Sequence, residues 1–401
     1  MTFNELGLNA RMVSRLAATG LTTPTPIQVQ AIPPALQGRD ILGIAQTGTG
    51  KTAAFGIPLI VALSKQQERP APRSARGLVL APTRELAGQI VQSLQGLTDD
   101  LRITLVVGGK SINAQADRLS RGTDILVATP GRLIDLMDRG AVDLGQTRFL
   151  VLDEADQMLD IGFIHALRRI AKTLGQDRQT MMFSATMPTA MAELSRQYLD
   201  KPVRIEASPP GKVADRVTHS VHFVAKDQKQ DLLVDLLDGH REDRALVFSR
   251  TKHGAERLLK HLDRAGFAAT SIHGNKSQGQ RDRAIAAFKA GSVRVLVATD
   301  VAARGIDIPG VGHVYNYDLP NVPENYVHRI GRTARAGREG RAIAFCAADE
   351  VTELKAIEKV LGARVEIAGG RPWEAMTGAP KPQGKRRSRR RSAGPSDRMA
   401  A

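Results

Sequence analysis

A single cysteine, Cys346, stands in 401 residues, so neither a disulfide framework nor a multi-cysteine zinc site is open to this chain. Such sparse use of cysteine fits a reducing compartment, and a cytoplasmic location is expected. Aromatic residues make up only 4 %, too few for base stacking to be the main grip on a nucleic acid. No uncharged apolar run approaches the roughly 18 residues that a membrane span needs, so no membrane partner is expected. The opening MTFNELGLNARM lacks the basic segment and apolar core of a secretory signal. Positive charge is what the chain has in excess: 57 Lys and Arg against 41 Asp and Glu, a net +16. With 42 % hydrophobic and 24 % charged residues the composition is that of globular protein. The length suggests two or three domains. What remains is an intracellular multidomain protein with a polyanionic partner.

The charge is uneven. Residues 371–401 hold nine Lys and Arg against two acids, a net +7, which leaves +9 for the first 370 residues. That terminal stretch is rich in Pro, Gly and Ser and poor in large aliphatics, so a disordered basic tail is expected. It reads either as a solvated tail, or import signal, or as a sequence-blind tether for phosphates.

Two regions repeat a rhythm of short apolar runs and longer helical patterns. The first has strand-like runs at Ile41–Ala45, Leu78–Ala81, Ile103–Val107, Ile125–Ala128, Phe149–Leu152 and Met181–Phe183, with helical spacing over Lys51–Ser64 and Glu85–Leu94. The second has Ala245–Phe248, Ala269–Ile272, Val293–Ala298, His313–Asn316 and Ala342–Phe345. Continuous apolar strands alternating with helices predict doubly wound α/β domains with parallel sheets. Lys201–Lys212 carries three prolines and a glycine and reads as a linker. The expected division is residues 1–207, a linker at 208–217, a second domain at 218–370 and the tail at 371–401.

Ligands on such sheets bind beyond the strands' carboxyl ends, and motifs lie there. Ala45–Thr52, AQTGTGKT, follows a strand and opens a helix, as a phosphate-binding loop does. Gly48 and Gly50 let backbone N–H groups converge on phosphate oxygens. Lys51 would reach the β- and γ-phosphates, and the Thr52 hydroxyl would ligate Mg²⁺. At the end of Phe149–Leu152, Asp153 would hold Mg²⁺, partly through water, and Glu154 would orient and deprotonate the attacking water. The bland alternative is an acidic pair at a helix N-cap. In His328–Gly337, HRIGRTARAG, the three-residue spacing of Arg329, Arg332 and Arg335 could aim one helical face at an anion. A solvated basic helix is the alternative.

Together these motifs resemble those of a DEAD-box ATP-dependent RNA helicase of superfamily 2. The ordered set runs from Phe3 to Gly337: GLTTPTPIQ (Gly20–Gln28), AQTGTGKT, PTRELA (Pro82–Ala87), Gly108-Gly109, TPGR (Thr129–Arg132), DEAD (Asp153–Asp156), SAT (Ser184–Thr186), VFSRT (Val247–Thr251), HGNKSQGQR (His273–Arg281), ATDVAARGID (Ala298–Asp307) and HRIGRTARAG. Phrases such as GFIHALRR, SRTKHGAERL and HGNKSQ are similar to the bacterial RhlE-like subgroup. The resemblance implies two tandem RecA-like domains, ATP and Mg²⁺ as cofactors, and RNA as partner, both single strand and short duplex, with little sequence preference. It implies local unwinding driven by closure of the two domains on ATP and RNA. A monomer acting on ribosomal precursors or with RNA-decay machinery is expected.

The resemblance also implies roles. Phe3 and Gln28 would read the adenine, the Gln28 amide by donating and accepting along its edge. Thr47, Gly48, Thr49, Gly50, Lys51 and Thr52 would hold the phosphates, and Asp307 the ribose. Arg84, Gly109, Thr129 and Arg132 match residues that grip the RNA backbone from the first domain; Arg250, Gln278, Arg281 and Thr299 match those of the second. Ser184, Thr186, Asp300, His328 and Arg329 match positions that couple ATP state to unwinding, Arg329 by pairing with first-domain acids on closure. Arg332 and Arg335 match the γ-phosphate arginines, Arg335 as arginine finger. Two positions depart from the commoner pattern: Ala334 stands in place of a glycine and Leu21 in place of an aromatic residue. An ATP-dependent RNA clamp or annealing protein with incidental hydrolysis is one rival reading, and a DNA translocase of the same superfamily another.

Overall fold

The computed structural model describes residues 1–45, 48–65, 68–206, 217–303, 310–333 and 339–373. Its strands are β1 (Ile41–Ile44), β2 (Ala75–Leu80), β3 (Ile103–Val106), β4 (Thr123–Ala128), β5 (Phe149–Leu152), β6 (Gln179–Ser184), β7 (Val203–Glu206), β8 (Val217–Phe223), β9 (Arg244–Phe248), β10 (Ala269–Ile272), β11 (Val295–Ala298), β12 (Val311–Asn316), β13 (Gly340–Cys346) and β14 (Glu366–Gly369). They form two seven-stranded parallel sheets, ordered β3-β4-β2-β5-β6-β1-β7 and β10-β11-β9-β12-β13-β8-β14. Counted from β8, the second order repeats the first strand for strand. The chain is thus one doubly wound α/β plan used twice, each sheet with helices on both faces.

Each central strand sends alternate residues to opposite faces. In the first sheet Val79, Val127, Val151 and Met181 enter one apolar cluster with the helix Lys51–Ser64, while Leu78, Leu126, Leu150 and Met182 enter the other. The second sheet divides in the same way, Leu246, Leu296 and Val314 against Val247, Val297 and Tyr315. Burial on both faces is why these strands read as unbroken apolar runs.

Three strands escape that signal. β7 lies inside the stretch expected to be a linker, yet it pairs in parallel with β1, Ile41 opposite Val203 and Ile44 opposite Glu206. It is an edge strand with only Ile205 buried, and its polar residues hide its pairing. β8 begins at Val217, the last residue of the expected linker, and reads Val-Thr-His-Ser-Val-His-Phe with only Val217 and Val221 buried. β14, the opposite edge beside β8, is mostly exposed. The remainder of the expected linker, residues 208–216, and the tail from 374 onward lie outside the described residues.

Candidate active site

β1 runs out at Ile44, and the Ala45 N–H bonds the Ser184 carbonyl of neighbouring β6 at 2.9 Å. Gly48 and Gly50 then take φ of 88° and 89°, a left-handed region in which a side chain is strained. This reversal starts the helix Lys51–Ser64 with its free N–H groups facing back over the sheet. The Lys51 ammonium is buried 3.8 Å from Asp153 Oδ1 and has no hydrogen-bond partner among the described residues. Thr49 and the half-buried Thr52 flank it; Thr47 lies outside the described residues.

Asp153 and Glu154 follow β5, both 2 % exposed. The Asp153 N–H is bound to the Leu80 carbonyl at 3.0 Å, and Asp153 Oδ1 accepts from the Glu154 N–H at 3.0 Å. Glu154 adopts φ 52° and ψ 51°, a left-handed conformation that costs a non-glycine residue on the order of 1–3 kcal/mol. The turn gives the two adjacent carboxylates separate directions. Burial pushes the Asp153 carboxyl up to about 6 despite the pull of Lys51, and the neighbouring Glu154 charge adds to the rise. A buried ammonium without a hydrogen bond, two buried carboxylates and a glycine-shaped helix start fit a polyphosphate with a divalent cation.

Asp156 was not among the residues singled out from the sequence, yet it ties two motifs together. Its Oδ2 accepts from the Ala185 N–H at 3.1 Å, the Thr186 N–H at 2.8 Å and the Thr186 hydroxyl at 2.9 Å. Ser184 in turn donates its hydroxyl to the Thr186 carbonyl at 2.7 Å. Only the repeated acidic spelling of DEAD hinted at a use for Asp156.

Gln28 is 1 % exposed and engaged at both ends of its amide. Its Oε1 accepts from the Thr25 N–H, and its Nε2 donates to the Gly50 carbonyl, each at 3.0 Å. It therefore closes the cap of the helix Pro26–Leu36 and braces the phosphate loop; one amide hydrogen and one lone pair are left over for a base edge. Phe3 is buried in the apolar cluster that contains Ile27.

A second group of residues lies where the two halves meet. The Arg84 guanidinium packs against Gly108 and Gly109: a Cβ at Gly108 would stand 2.9 Å from its Nη2, and one at Gly109, where φ is +76°, would collide with Nη1. Arg84 Nη1 donates to Gln278 Oε1 at 3.1 Å, Gln278 Nε2 donates to Glu85 Oε1 at 3.1 Å, and Arg281 reaches the same Glu85 oxygen at 3.0 Å. Burial lowers the pKa of Arg84, and the nearby Arg281 charge lowers it further, with Arg132 in the same direction. Such a crowd of guanidinium groups calls for an anion. Arg132 donates to the Lys110 carbonyl at 2.9 Å, and Thr129 precedes the helix Pro130–Asp138, its carbonyl accepting from the Leu133 N–H at 3.1 Å. Thr299 accepts at its carbonyl from the Ala302 and Ala303 N–H groups at 2.9 Å.

His328 faces the nucleotide side. Its Nδ1 is enclosed without a hydrogen-bond partner among the described residues. Burial lowers its pKa, Asp156 and Glu154 oppose that, and Arg332 and Lys51 add to it, so groups of both halves act on the ring.

Two family models match the chain: DEAD/DEAH box helicase over residues 25–194 and helicase conserved C-terminal domain over residues 228–337. The ATP-dependent RNA helicase CshA of Listeria monocytogenes is 42 % identical over 379 residues, covering 94 % of this chain and 72 % of that protein. The DEAD-box ATP-dependent RNA helicase CshA of Bacillus cereus is 43 % identical over 360 residues, covering 89 % and 68 %. The chain belongs to the DEAD-box helicase family. Among solved structures, S. cerevisiae Dbp5 bound to RNA and ADP BeF3 matches with a TM-score of 0.81 at 32 % identity, covering 92 % of this chain and 95 % of that one. Mss116p bound to ssRNA and AMP-PNP matches with a TM-score of 0.83 at 27 % identity, covering 92 % and 79 %. These matches support the family and do not separate its subgroups.

The arginines of the second half are engaged differently from what the resemblance implied. Arg329 was expected to pair with first-domain acids; instead its Nε and Nη2 form a fork with Asp300 at 2.6 and 2.7 Å, and Nη1 donates to Asn316 and to the Asp318 carbonyl. It is 2 % exposed and lies over the Phe248 ring, so it is an internal strut that fixes Asp300. Among the described residues, the helix Glu324–Ile330 ends before Arg332, so Arg329 and Arg332 do not share one helical face. Arg250 donates through Nη2 to the Leu319 carbonyl and to Glu350, both at 3.1 Å, although a third of its side chain stays exposed. Asp307 and Arg335 lie outside the described residues.

Proposed function

We propose that this protein is an ATP-dependent RNA helicase that opens short duplexes locally as its two halves close on ATP and one RNA strand. The carrying observation is the convergence of side chains from the two halves, Arg84 and Glu85 upon Gln278 and Arg281, with His328 within electrostatic reach of Glu154 and Asp156. Residues 1–207 hold the nucleotide chemistry and residues 218–370 close upon it. RNA-bound relatives of the same fold support RNA as the partner.

In this reading the turn at Gly48 and Gly50 presents backbone N–H groups to the phosphates, and Lys51 supplies the buried cation. Thr52 and Asp153 would hold Mg²⁺, which lowers the charge of the phosphate chain. Glu154, turned away from Asp153 by its left-handed backbone, orients a water and takes its proton. Arg332, with Arg335 as the finger, neutralises charge that develops on the γ-phosphate, and does so only in the closed form. Gln28 braces the phosphate loop and offers its remaining amide hydrogen and lone pair to the adenine, while Phe3 packs beneath that segment and Asp307 bonds the ribose.

The RNA strand lies along Arg84, Gly109, Thr129 and Arg132 on one half and Gln278, Arg281, Thr299 and Arg250 on the other. Arg84, Gln278, Glu85 and Arg281 exchange some of their mutual bonds for phosphate oxygens. Contacts to phosphate and sugar carry no base information, so binding is nearly sequence-blind. A strand held across both halves is bent away from the path of a straight duplex, and its partner is released. Asp156 transmits the state of the acidic turn to Ser184 and Thr186, and Arg329 keeps Asp300 in place beside Thr299. The protein works as a cytoplasmic monomer on structured RNA such as ribosomal precursors or decay substrates. The test is RNA-stimulated ATP turnover of Glu154→Gln: a loss of at least about 100-fold is expected for a general base, and turnover at the wild-type rate would contradict the assignment.

A further inference from the structure

Away from the helicase motifs, two histidines from distant parts of the second half lie face to face. The rings of His240 and His313 stack at a centroid separation of 3.5 Å with 4° between their planes. Asp243 joins them, its Oδ2 3.1 Å from His313 Nε2. One donor atom from each of the three lies within 4.8 Å of the other two. The Asp243 N–H bonds the His240 carbonyl at 2.9 Å, so a tight turn after the helix Lys229–Asp238 sets these two side chains together. His313 arrives from β12, where the pairing with β9 slips between Val311 and His313. That bulge at Gly312 re-aims the strand, as bulges beside functional sites do.

The proton inventory of this cluster is incomplete. His240 Nε2 is 2.7 Å from the Tyr315 hydroxyl, and His313 Nε2 is shared with Asp243. Nδ1 of both rings is buried with no hydrogen-bond partner among the described residues. His313 Nε2 and Asp243 Oδ2 stand at the separation of two ligands on one ion, and a His240 ring that donates from Nε2 to Tyr315 leaves its Nδ1 a bare lone pair in the same stack. Metal binding takes the neutral imidazole. A hydroxyl on the far nitrogen, as Tyr315 is on His240, is an arrangement that orients metal-bound imidazole. The cluster opens on a cavity of about 710 Å³, which Glu339, Arg341 and Arg332 also line. Asp243 and Glu339 favour a cation there; Arg332 and Arg341 oppose one, of which Arg341, opposite His313 on β13, is exposed.

We propose that His240, His313 and Asp243 bind a divalent transition metal of the zinc class, at a site separate from the nucleotide's magnesium. Two imidazoles and one carboxylate suit zinc, nickel or copper, and do not suit magnesium, which takes oxygen ligands. A zinc–nitrogen bond of about 2.0–2.1 Å lies in the plane of each ring, and two parallel rings share no such point, so binding must tilt the rings well out of their stack. Thr333 donates its hydroxyl to the Val311 and Gly312 carbonyls at 2.5 and 3.1 Å. Metal on His313 would therefore stiffen the bulge that anchors the residue after Arg332.

The experiment uses the full chain without a purification tag, stripped with chelator and titrated with Zn²⁺ by calorimetry and with Co²⁺ by visible absorption. One equivalent of each is expected, with ligand-field bands for Co²⁺ and a rise in melting temperature with Zn²⁺ that Mg²⁺ does not reproduce. Tyr315→Phe, which keeps all three ligands, should weaken binding by about 10–100-fold. His240→Ala and His313→Ala should weaken it further while RNA-stimulated ATP turnover shows that the chain is folded. Absence of one-equivalent binding in the wild-type chain would overturn the site, because the cluster would then hold only water. Binding that survives both histidine substitutions, or falls equally with His165→Ala elsewhere on the molecule, would overturn it too.

Discussion

Asp156 holds Thr186 twice, accepting from its backbone N–H at 2.8 Å and from its hydroxyl at 2.9 Å. Because Asp156 stands two residues beyond Glu154, any shift of the acidic turn is felt at the end of β6. Replacement by alanine would leave the Ala185 and Thr186 N–H groups without an acceptor. Asp156→Ala should cost about 2–4 kcal/mol of stability, read by denaturant unfolding. It should also lower the number of strands released per ATP hydrolysed, and an unchanged ratio would disconnect this pair from coupling.

Gly109 is needed for the place of Arg84. Its φ of +76° strains any side chain, and a Cβ would strike Nη1. Gly109→Ala should displace the guanidinium, weakening RNA affinity by roughly tenfold, as loss of one charge-assisted contact does. ATP affinity without RNA should stay near wild type. Filter binding with a single strand and nucleotide titration of the free protein separate the two.

The central strands and the nucleotide motifs were legible because both rest on local signals. Runs such as Phe149–Leu152 are apolar throughout since both faces are covered, and the phosphate loop declares itself by glycine and lysine spacing. β7, β8 and β14 were not legible: pairing alone makes them strands, and their polar residues face solvent or one thin layer. Side-chain allegiance was the other gap. The sequence places Arg329 three residues before Arg332 but does not say that Asp300 and Asn316 surround it. Gln28 likewise was expected to face the adenine, and its two bonds to Thr25 and Gly50 appear only once the loop is folded.

Asp153 gives a pH dependence with a definite sign. Its folded value, about 6, lies above that of an unfolded aspartate. The folded state then holds the extra proton, so without nucleotide stability falls as pH rises through roughly 4 to 6 and is level above. Relative to Asp153→Asn, the wild-type unfolding free energy should fall by about 1–3 kcal/mol between pH 4 and pH 7. Parallel pH profiles for the two proteins would show that burial does not govern this carboxyl.

Residues 380–401 carry eight of the nine tail Lys and Arg. Their removal should weaken RNA binding and flatten its dependence on salt, because fewer counterions are released. ATP turnover at saturating RNA should hardly change, since the motifs end at Gly337. A large loss at saturation would place the tail in the motor itself.

The most direct measurement is release of a labelled strand from a short RNA duplex by the wild-type chain and by Glu154→Gln, with ATP, and on a DNA duplex of the same sequence. Multiple-turnover release by the wild type on RNA, its loss in Glu154→Gln, and weak activity on DNA are the expected results. Wild-type protein that hydrolyses ATP on RNA yet only anneals strands, or that releases DNA equally well, would contradict an RNA helicase driven by closure of its two halves.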